Sequence, residues 1–155
     1  MESYETTGVI SKDMIKLPEE RHLKRGVAII ECIQEIPCNP CVDSCPSGAI
    51  SMKDLNSTPE IDYDKCVGCG RCVAICPGLA IFLVKVDGEK GFVTLPYEMH
   101  PLPDVGEIVD VLDREGRKVG KGEVVRVRTE NKTGIVTVKI NKDMIMEVRN
   151  ICLKR

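Results

Sequence analysis

The sequence has few of the residues on which several large classes of protein depend. It contains no Trp, two Phe and three Tyr among 155 residues, which leaves little aromatic surface for stacking on nucleic-acid bases. No stretch reaches the roughly 18 consecutive apolar residues that a membrane-spanning helix needs. The first residues carry neither a basic nor an apolar segment, so no secretory signal is predicted and a cytoplasmic location is expected.

An excess of charge of one sign is also missing. The formal net charge is −2, with 10 Lys/Arg against 14 Asp/Glu in residues 1–92 and 12 against 10 in residues 93–155. A mildly acidic segment followed by a mildly basic one gives no indication of a polyanion partner. Neither a nucleic-acid partner nor direct membrane insertion is therefore expected.

Cysteine is the residue that the sequence has in excess. Eight of the nine cysteines lie between residues 32 and 76, and one run places Cys66, Cys69, Cys72 and Cys76 at gaps of two, two and three residues before Pro77. This run resembles the cysteine motif of bacterial two-cluster ferredoxins. In those proteins three thiolates bind one iron–sulfur cluster and the fourth reaches across to another.

The cysteine region is an internal repeat with a constant offset of 31 residues. Cys38, Cys41 and Cys45 align on Cys69, Cys72 and Cys76, and the following Pro, Ala and Ile residues align as well. The same offset places Glu35 opposite Cys66, so the first run lacks its opening cysteine at the expected position. Cys32 lies three residues earlier.

The resemblance to two-cluster ferredoxins implies two ligand sets. Ligation that crosses between the runs assigns Cys45, Cys66, Cys69 and Cys72 to one 4Fe-4S cluster, and it leaves Cys38, Cys41 and Cys76 for the other. Cys32 is the candidate for the missing fourth ligand, because it brings the number of cysteines to eight for two clusters. The alternatives are a 3Fe-4S cluster on three cysteines, a carboxylate ligand from Glu35, or a solvent ligand.

Two other uses of the cysteines are less well matched to the spacing. A structural zinc site could use Cys38, Cys41, Cys66 and Cys69, but it would leave three cysteines at ferredoxin spacing without a role. A disulfide framework requires an oxidising compartment, which the absence of a predicted secretory signal disfavours.

The pattern of apolar residues predicts an α+β fold in two modules. Residues 1–25 form an extension. Residues 26–90 form a two-cluster ferredoxin domain of pseudo-symmetric βαββαβ type, and residues 91–155 form a small all-β barrel that serves as a docking module. In the barrel, strands are predicted at residues 91–95, 107–112, 122–128, 134–140 and 145–148, with a short helix after Asp143 as the alternative for the last.

A narrower resemblance covers both modules. The segments 31–41, 102–106 and 112–120, around the second cysteine run, are similar to the small iron–sulfur subunits of multisubunit FAD-dependent dehydrogenases of amino and imino acids such as proline, hydroxyproline and sarcosine. This resemblance implies a non-catalytic subunit of a hetero-oligomer that relays single electrons between flavin sites in larger FAD-containing chains. The alternatives are a free ferredoxin-type carrier and a nucleic-acid or scaffold protein with structural clusters.

The remaining polar candidates are assigned structural roles. His22 and His100 stand alone in charged or proline-rich surroundings and are expected to be exposed to solvent. Cys152 lies between Ile151 and Leu153 and is expected to be a small buried residue. A basic strip that could bind RNA consists of Lys118, Lys121, Arg126 and Arg128. Because Glu115, Glu123 and Glu130 interrupt this basic strip, it indicates a solvated face of the barrel.

Overall fold

The computed structural model describes residues 17–32, 40–54, 56–76, 79–99, 101–130 and 133–153. Their regular secondary structure is mostly β-strand, with few and short helices. The elements in chain order are α1 Glu20–Arg25, β1 Val27–Ile30, α2 Pro40–Ser44, β2 Ile50–Ser51, β3 Glu60–Ile61, α3 Arg71–Ile75, β4 Ile81–Asp87, β5 Lys90–Tyr97, β6 Ile108–Leu112, β7 Lys118–Glu130, β8 Thr133–Asn141, a 3-10 helix Lys142–Met144, and β9 Asn150–Cys152.

The cysteine region follows the order β1-α2-β2-β3-α3-β4, which is the order expected from the repeat. Strands β1 and β4 are antiparallel, β2 and β3 form a second small sheet, and α2 packs against α3. The apolar run of β1 explains its position, because Val27 and Ile29 are fully buried and Ala28 nearly so. Burying each large aliphatic side chain contributes about 1.5–3 kcal/mol.

One continuous sheet joins the two predicted modules. Its strand order is β1-β4-β5-β8-β7-β6-β9, and β4 and β5 form a hairpin that pairs from Leu83 with Thr94 to Asp87 with Lys90. The predicted boundary between residues 90 and 91 therefore lies at the start of the second strand of a hairpin. The division into two domains stays a prediction.

Strands β5 to β9, called the C-terminal strands below, include four of the five strands predicted for this region. The fit is close for β5, β6 and β8, whereas β7 is longer than predicted and has a bulge between Val124 and Arg126. Successive side chains of a strand face opposite sides of the sheet, so Val124 is fully buried while Val125 is only half-buried. Among the described strands, β9 does not pair with β5, so β5 to β9 do not form a closed sheet. The barrel therefore stays a prediction.

The strand predicted at residues 145–148 was wrong. This segment is a turn that follows the 3-10 helix, whose first free amide, that of Asp143, is capped by the side chain of Asn141. Ile145 and Val148 are both buried, and their spacing of three residues suits a helical turn rather than a strand. The last strand is β9, which pairs with β6.

The expectation that Cys152 is buried was also wrong. Ile151 is buried in the core, and because side chains alternate along a strand, the next residue in β9 faces outward. Cys152 is exposed. Within the described residues, no helix is both long and apolar enough to cross a membrane.

Candidate metal centre

Glycines shape the loop that carries the second cysteine run. Gly68 and Gly70 both have positive φ, at 73° and 78°, and Gly70 directly precedes α3. A side chain at position 68 would place its Cβ 2.7 Å from the carbonyl oxygen of Gly26. The loop therefore passes so close to the backbone at the start of β1 that only glycine fits there.

Four cysteines line a single cavity at this loop. Cys66 and Cys69 come from the loop itself, Cys72 comes from α3, and Cys45 comes from the end of the first run. The other walls of the cavity include Ala28, Ile50 and Ile61. The first run thus contributes its last cysteine to the cavity of the second run. This is the same set of four that ligation across the runs implied.

Hydrogen-bond donors point at two of these sulfurs. The amide of Ala28 lies 3.5 Å from Sγ of Cys66, and the amide of Ala49 lies 3.3 Å from Sγ of Cys45. The hydroxyl of Ser47 is 3.5 Å from the same Cys45 sulfur. Donors to a thiolate stabilise its negative charge, and around an iron–sulfur cluster they also help to set its potential.

The pKa values of Cys45 and Cys72, which line the same cavity, are shifted in opposite directions. Burial raises the pKa of the Cys45 thiol, but hydrogen bonds from Ser47, Ala49 and Ile50 outweigh burial, so the pKa is lowered overall. The pKa of Cys72 is raised to about 12, first by burial and then by the negative charges of Cys66, Cys69, Cys45 and Cys41. Several thiolates so close together need a cation among them, and metal binding would release the proton from Cys72.

The second half of the repeat has the same local contact as the first. The amide of Ala80 lies 3.4 Å from Sγ of Cys76, just as Ala49 contacts Cys45. Both pairs are separated by four residues, and the two pairs are related by the offset of the repeat. The aligned alanines are a sequence feature that could have identified these donors, although sequence reasoning missed them.

The other predicted ligands are less completely placed. Cys41 is buried on α2, and Cys32 is half-buried just after β1. Cys38 and Glu35 lie outside the described residues, as does His100. The grouping of Cys32, Cys38, Cys41 and Cys76 therefore stays a prediction.

The donor set fits a cluster better than a single ion. Where the chain is described, no group of three or more His, Cys, Asp or Glu side chains is placed to hold one metal ion. A structural zinc ion would need its sulfurs about 2.3 Å from one central point. The four cysteines instead surround a cavity, and four thiolates are the usual ligands of a 4Fe-4S cluster.

The structure describes two further groups of polar residues, His22 and the basic strip. His22 was predicted to be exposed, but it is buried, and its Nε2 lies 2.8 Å from Oδ1 of Asp64. Within the basic strip, Lys118 pairs with Asp110 at 3.2 Å and Arg128 with Glu130 at 2.6 Å. These pairs agree with the expectation that the strip is a solvated face.

The cysteine region matches a known family. Residues 31–80 match the 4Fe-4S dicluster domain. Among curated proteins, the chain is 40% identical over 70 residues to the polyferredoxin-like subunit of the aliphatic sulfonate oxidoreductase of Pyrococcus furiosus, which covers 45% of this chain and 39% of that protein. It is 44% identical over 55 residues to the pyruvate synthase subunit PorD of Methanothermobacter marburgensis, covering 36% of this chain and 58% of that protein.

A third relative extends the range of complexes. The chain is 50% identical over 59 residues to one subunit of the ion-translocating oxidoreductase complex of Methanosarcina acetivorans, covering 38% of this chain and 20% of that protein. The chain thus spans less than two thirds of the length of these relatives. No solved structure matches it. The chain contains a 4Fe-4S dicluster ferredoxin domain and is homologous to iron–sulfur subunits of oxidoreductases.

Proposed function

We propose that this chain is the electron-transfer iron–sulfur subunit of a multisubunit oxidoreductase and relays single electrons between redox sites in larger subunits. The observation that carries the proposal is the cavity lined by Cys45, Cys66, Cys69 and Cys72. These residues come from both halves of the repeat, which is the arrangement that a two-cluster ferredoxin requires.

The proposed ligands divide into two sets. The first centre is held by Cys45, Cys66, Cys69 and Cys72, and the second is held by Cys38, Cys41 and Cys76 with Cys32 as the fourth ligand. The contact between Ala80 and Cys76 supports the second set, because it reproduces the contact between Ala49 and Cys45. If Cys32 is not a ligand, the second centre is a 3Fe-4S cluster.

The residues of the chain have three tasks in this mechanism. When bound, each cluster would supply a site that accepts and releases one electron with little change in geometry. The two sets of cysteines would hold the two clusters. The amides of Ala28, Ala49 and Ala80 donate to the sulfurs and stabilise added negative charge, and the buried side chains of Ile61 and Val73 exclude water.

The proposed partners are larger FAD-containing subunits of an amino or imino acid dehydrogenase. This finer proposal is supported by the resemblance of segments 31–41, 102–106 and 112–120 to the small subunits of such complexes. The relatives above are named as subunits of quite different oxidoreductases, so the iron–sulfur domain alone does not select a substrate. The C-terminal strands are the part proposed to dock on the partner.

Iron analysis of protein purified without oxygen tests the central proposal. We expect eight irons and eight acid-labile sulfides per chain, with low-temperature EPR signals of two reduced 4Fe-4S clusters. About seven irons with a three-iron signal in the oxidised state would remove Cys32 from the ligands. Colourless protein, or protein that contains zinc instead of iron, would overturn the electron-transfer function.

Purification of the chain from its native cells tests the partner. We expect it to elute with larger subunits that contain FAD and to be reduced when an amino or imino acid substrate is added to the complex. Elution as a single small chain would favour a free carrier. Elution with subunits that lack flavin would overturn the flavin partner but leave the electron-transfer role intact.

A further inference from the structure

A buried ion cluster connects the C-terminal strands to the cysteine region. It consists of Glu31, Arg114 and Arg149, called the Glu31 cluster below, whose side chains are 5%, 10% and 4% exposed. Arg114 donates from Nε to Oε1 of Glu31 at 2.7 Å and from Nη2 to Oε2 at 3.0 Å, and Nε of Arg149 donates to the same Oε2. A single carboxylate thus accepts hydrogen bonds from two guanidinium groups.

The Glu31 cluster carries a net positive charge. Both guanidinium groups remain protonated in proteins, so two cations face one anion. Their other donors go to neutral acceptors, which are the carbonyl oxygens of Ile145, Met146 and Val148, and Arg149 lies 5.1 Å from the ring centroid of Phe82. Glu147 also faces Arg149 and offsets part of this charge, but it is less buried than the three residues of the cluster.

Two hydrogen bonds of the backbone link Glu31 to Cys76, a proposed ligand of the second iron–sulfur centre. The amide of Glu31 donates to the carbonyl oxygen of Ala80 at 2.7 Å, and the amide of Ala80 donates to Sγ of Cys76 at 3.4 Å. Glu31 is also the residue before Cys32. The cluster is therefore near the Cys76 centre whether or not Cys32 is a ligand.

The charged side chains near the first centre, among them Lys65, Arg71 and Arg128, are more exposed to solvent than the Glu31 cluster. Arg128 of β7 lies close to the loop of the first centre. A Cβ at position 70 would be 3.6 Å from Nη2 of Arg128. Arg128 pairs with Glu130 at 2.6 Å, and both side chains are about one-third exposed, at 33% and 36%. This pair is neutral and partly in water, so its effect on a nearby charge is much weaker than that of a buried net charge.

We infer that the Glu31 cluster raises the reduction potential of the Cys76 centre above that of the centre held by Cys45, Cys66, Cys69 and Cys72. Reduction adds one negative charge to a centre, and a buried positive charge stabilises that product. The added electron therefore rests on the Cys76 centre at equilibrium, and transfer between the two centres has a preferred direction. This inference rests on the proposed function, since it requires both centres.

Substitutions at Arg114 provide the test, because they change the charge and leave a neutral pair of Glu31 and Arg149. In full-length protein with both clusters, Arg114→Gln is expected to lower the higher of the two potentials, measured by EPR-monitored redox titration. The expected change is on the order of tenfold in the redox equilibrium, which is about 59 mV for one electron. The redox equilibrium of the centre with the lower potential should change by less than threefold.

Two matched variants separate charge from structure. Arg114→Lys keeps the charge but loses the paired hydrogen bonds, so it is expected to reduce stability while the higher potential stays near its original value. Arg117→Gln removes an arginine that is 78% exposed and should leave both potentials unchanged. If Arg114→Gln and Arg114→Lys shift the potential equally, the effect is structural and the inference fails.

A variant with the opposite sign covers the case in which Arg114→Gln does not fold. Glu31→Gln keeps an oxygen acceptor for the arginines and removes the negative charge, so it is expected to raise the higher potential. If Glu31→Gln, or a folded Arg114→Gln, contains its full iron and its potentials are unchanged, the inference is overturned. Absence of iron from the original protein would instead overturn the proposed function.

Discussion

The rings of His22 and Tyr63 lie with their centroids 5.6 Å apart and their planes tilted by 40°. Both residues are buried, and His22 also contacts Asp64 through Nε2. Helix α1 therefore packs on the turn that leads into Cys66. The histidine was expected in solvent because its neighbours in sequence are charged. Its partners lie about 40 residues further along the chain, where no local pattern can reveal them.

Because Tyr63 is buried, we expect the protein to lose stability in alkaline solution. Burial, and then the negative charge of Cys66, raise its pKa to about 12. The unfolded chain releases this proton near pH 10, so the contribution to stability is complete below pH 10 and is lost as the pH rises towards 12. Between pH 9 and 12, the free energy of unfolding of the original protein should fall by about 2 kcal/mol more than that of Tyr63→Phe.

The measurement for Tyr63 is urea unfolding of the iron-loaded chain without oxygen at several pH values. Lysines that titrate in the same range contribute equally to both proteins, so the difference between the two curves isolates the tyrosine. Parallel curves up to pH 12 would contradict the prediction.

Gly91→Ala is expected to destabilise the hairpin at the start of the C-terminal strands. A Cβ at this position would overlap Cγ2 of Ile145 and lie 3.1 Å from Cα of Lys142. Because the second neighbour is backbone, it cannot move aside cheaply, and overpacking of this kind costs about 1–3 kcal/mol. Chemical unfolding of the single variants and of Gly91→Ala with Ile145→Ala measures the coupling. If the stability losses of the two single variants add up to that of the double variant, the two residues do not compete for the same space.

The sequence predicted those features that depend on short-range patterns. The spacing of Cys66, Cys69 and Cys72 and the offset of the repeat carry the resemblance to two-cluster ferredoxins, and this resemblance implied which sulfurs belong together. Alternation of apolar with polar residues along β7 and β8 predicted strands, because successive side chains of a strand face opposite sides. In contrast, Glu31 and Arg149 are 118 residues apart, and neither has a neighbouring residue that marks it as a member of a buried ion pair.

The segment around Ile145 shows how a local pattern can mislead. Apolar residues at positions 144–146 and 148 agree with a strand, but Ile145 and Val148 also agree with one helical turn. The structure has the turn, because Asn141 caps the 3-10 helix and Gly91 leaves room for Ile145 to pack. Packing against a distant strand decided between two local conformations.

Gly68→Ala should prevent correct assembly of the first iron–sulfur centre. Gly48 is the matched control, since it also has positive φ, at 68° compared with 73° for Gly68, but a Cβ there meets nothing within 4 Å. Gly48→Ala should cost only the conformational strain, roughly 1–2 kcal/mol, and keep its iron. Gly68→Ala adds the collision with the Gly26 carbonyl, so iron per chain should fall by about half. Equal iron contents would mean that the loop can move away from β1.

Ser47→Ala should lower the potential of the centre that Cys45 helps to hold. The Ser47 hydroxyl lies 3.5 Å from the Cys45 sulfur, and removing a donor destabilises the reduced, more negative state. A hydrogen bond worth about 1 kcal/mol corresponds to roughly a fivefold change in the redox equilibrium. Because this centre is the one with the lower potential, EPR-monitored titration should show the lower value falling and the gap widening. Ser44→Ala removes a hydroxyl that bonds the Cys41 carbonyl, not a sulfur, and should change neither potential. A fall of the higher potential in Ser47→Ala would reverse the assignment of the two centres.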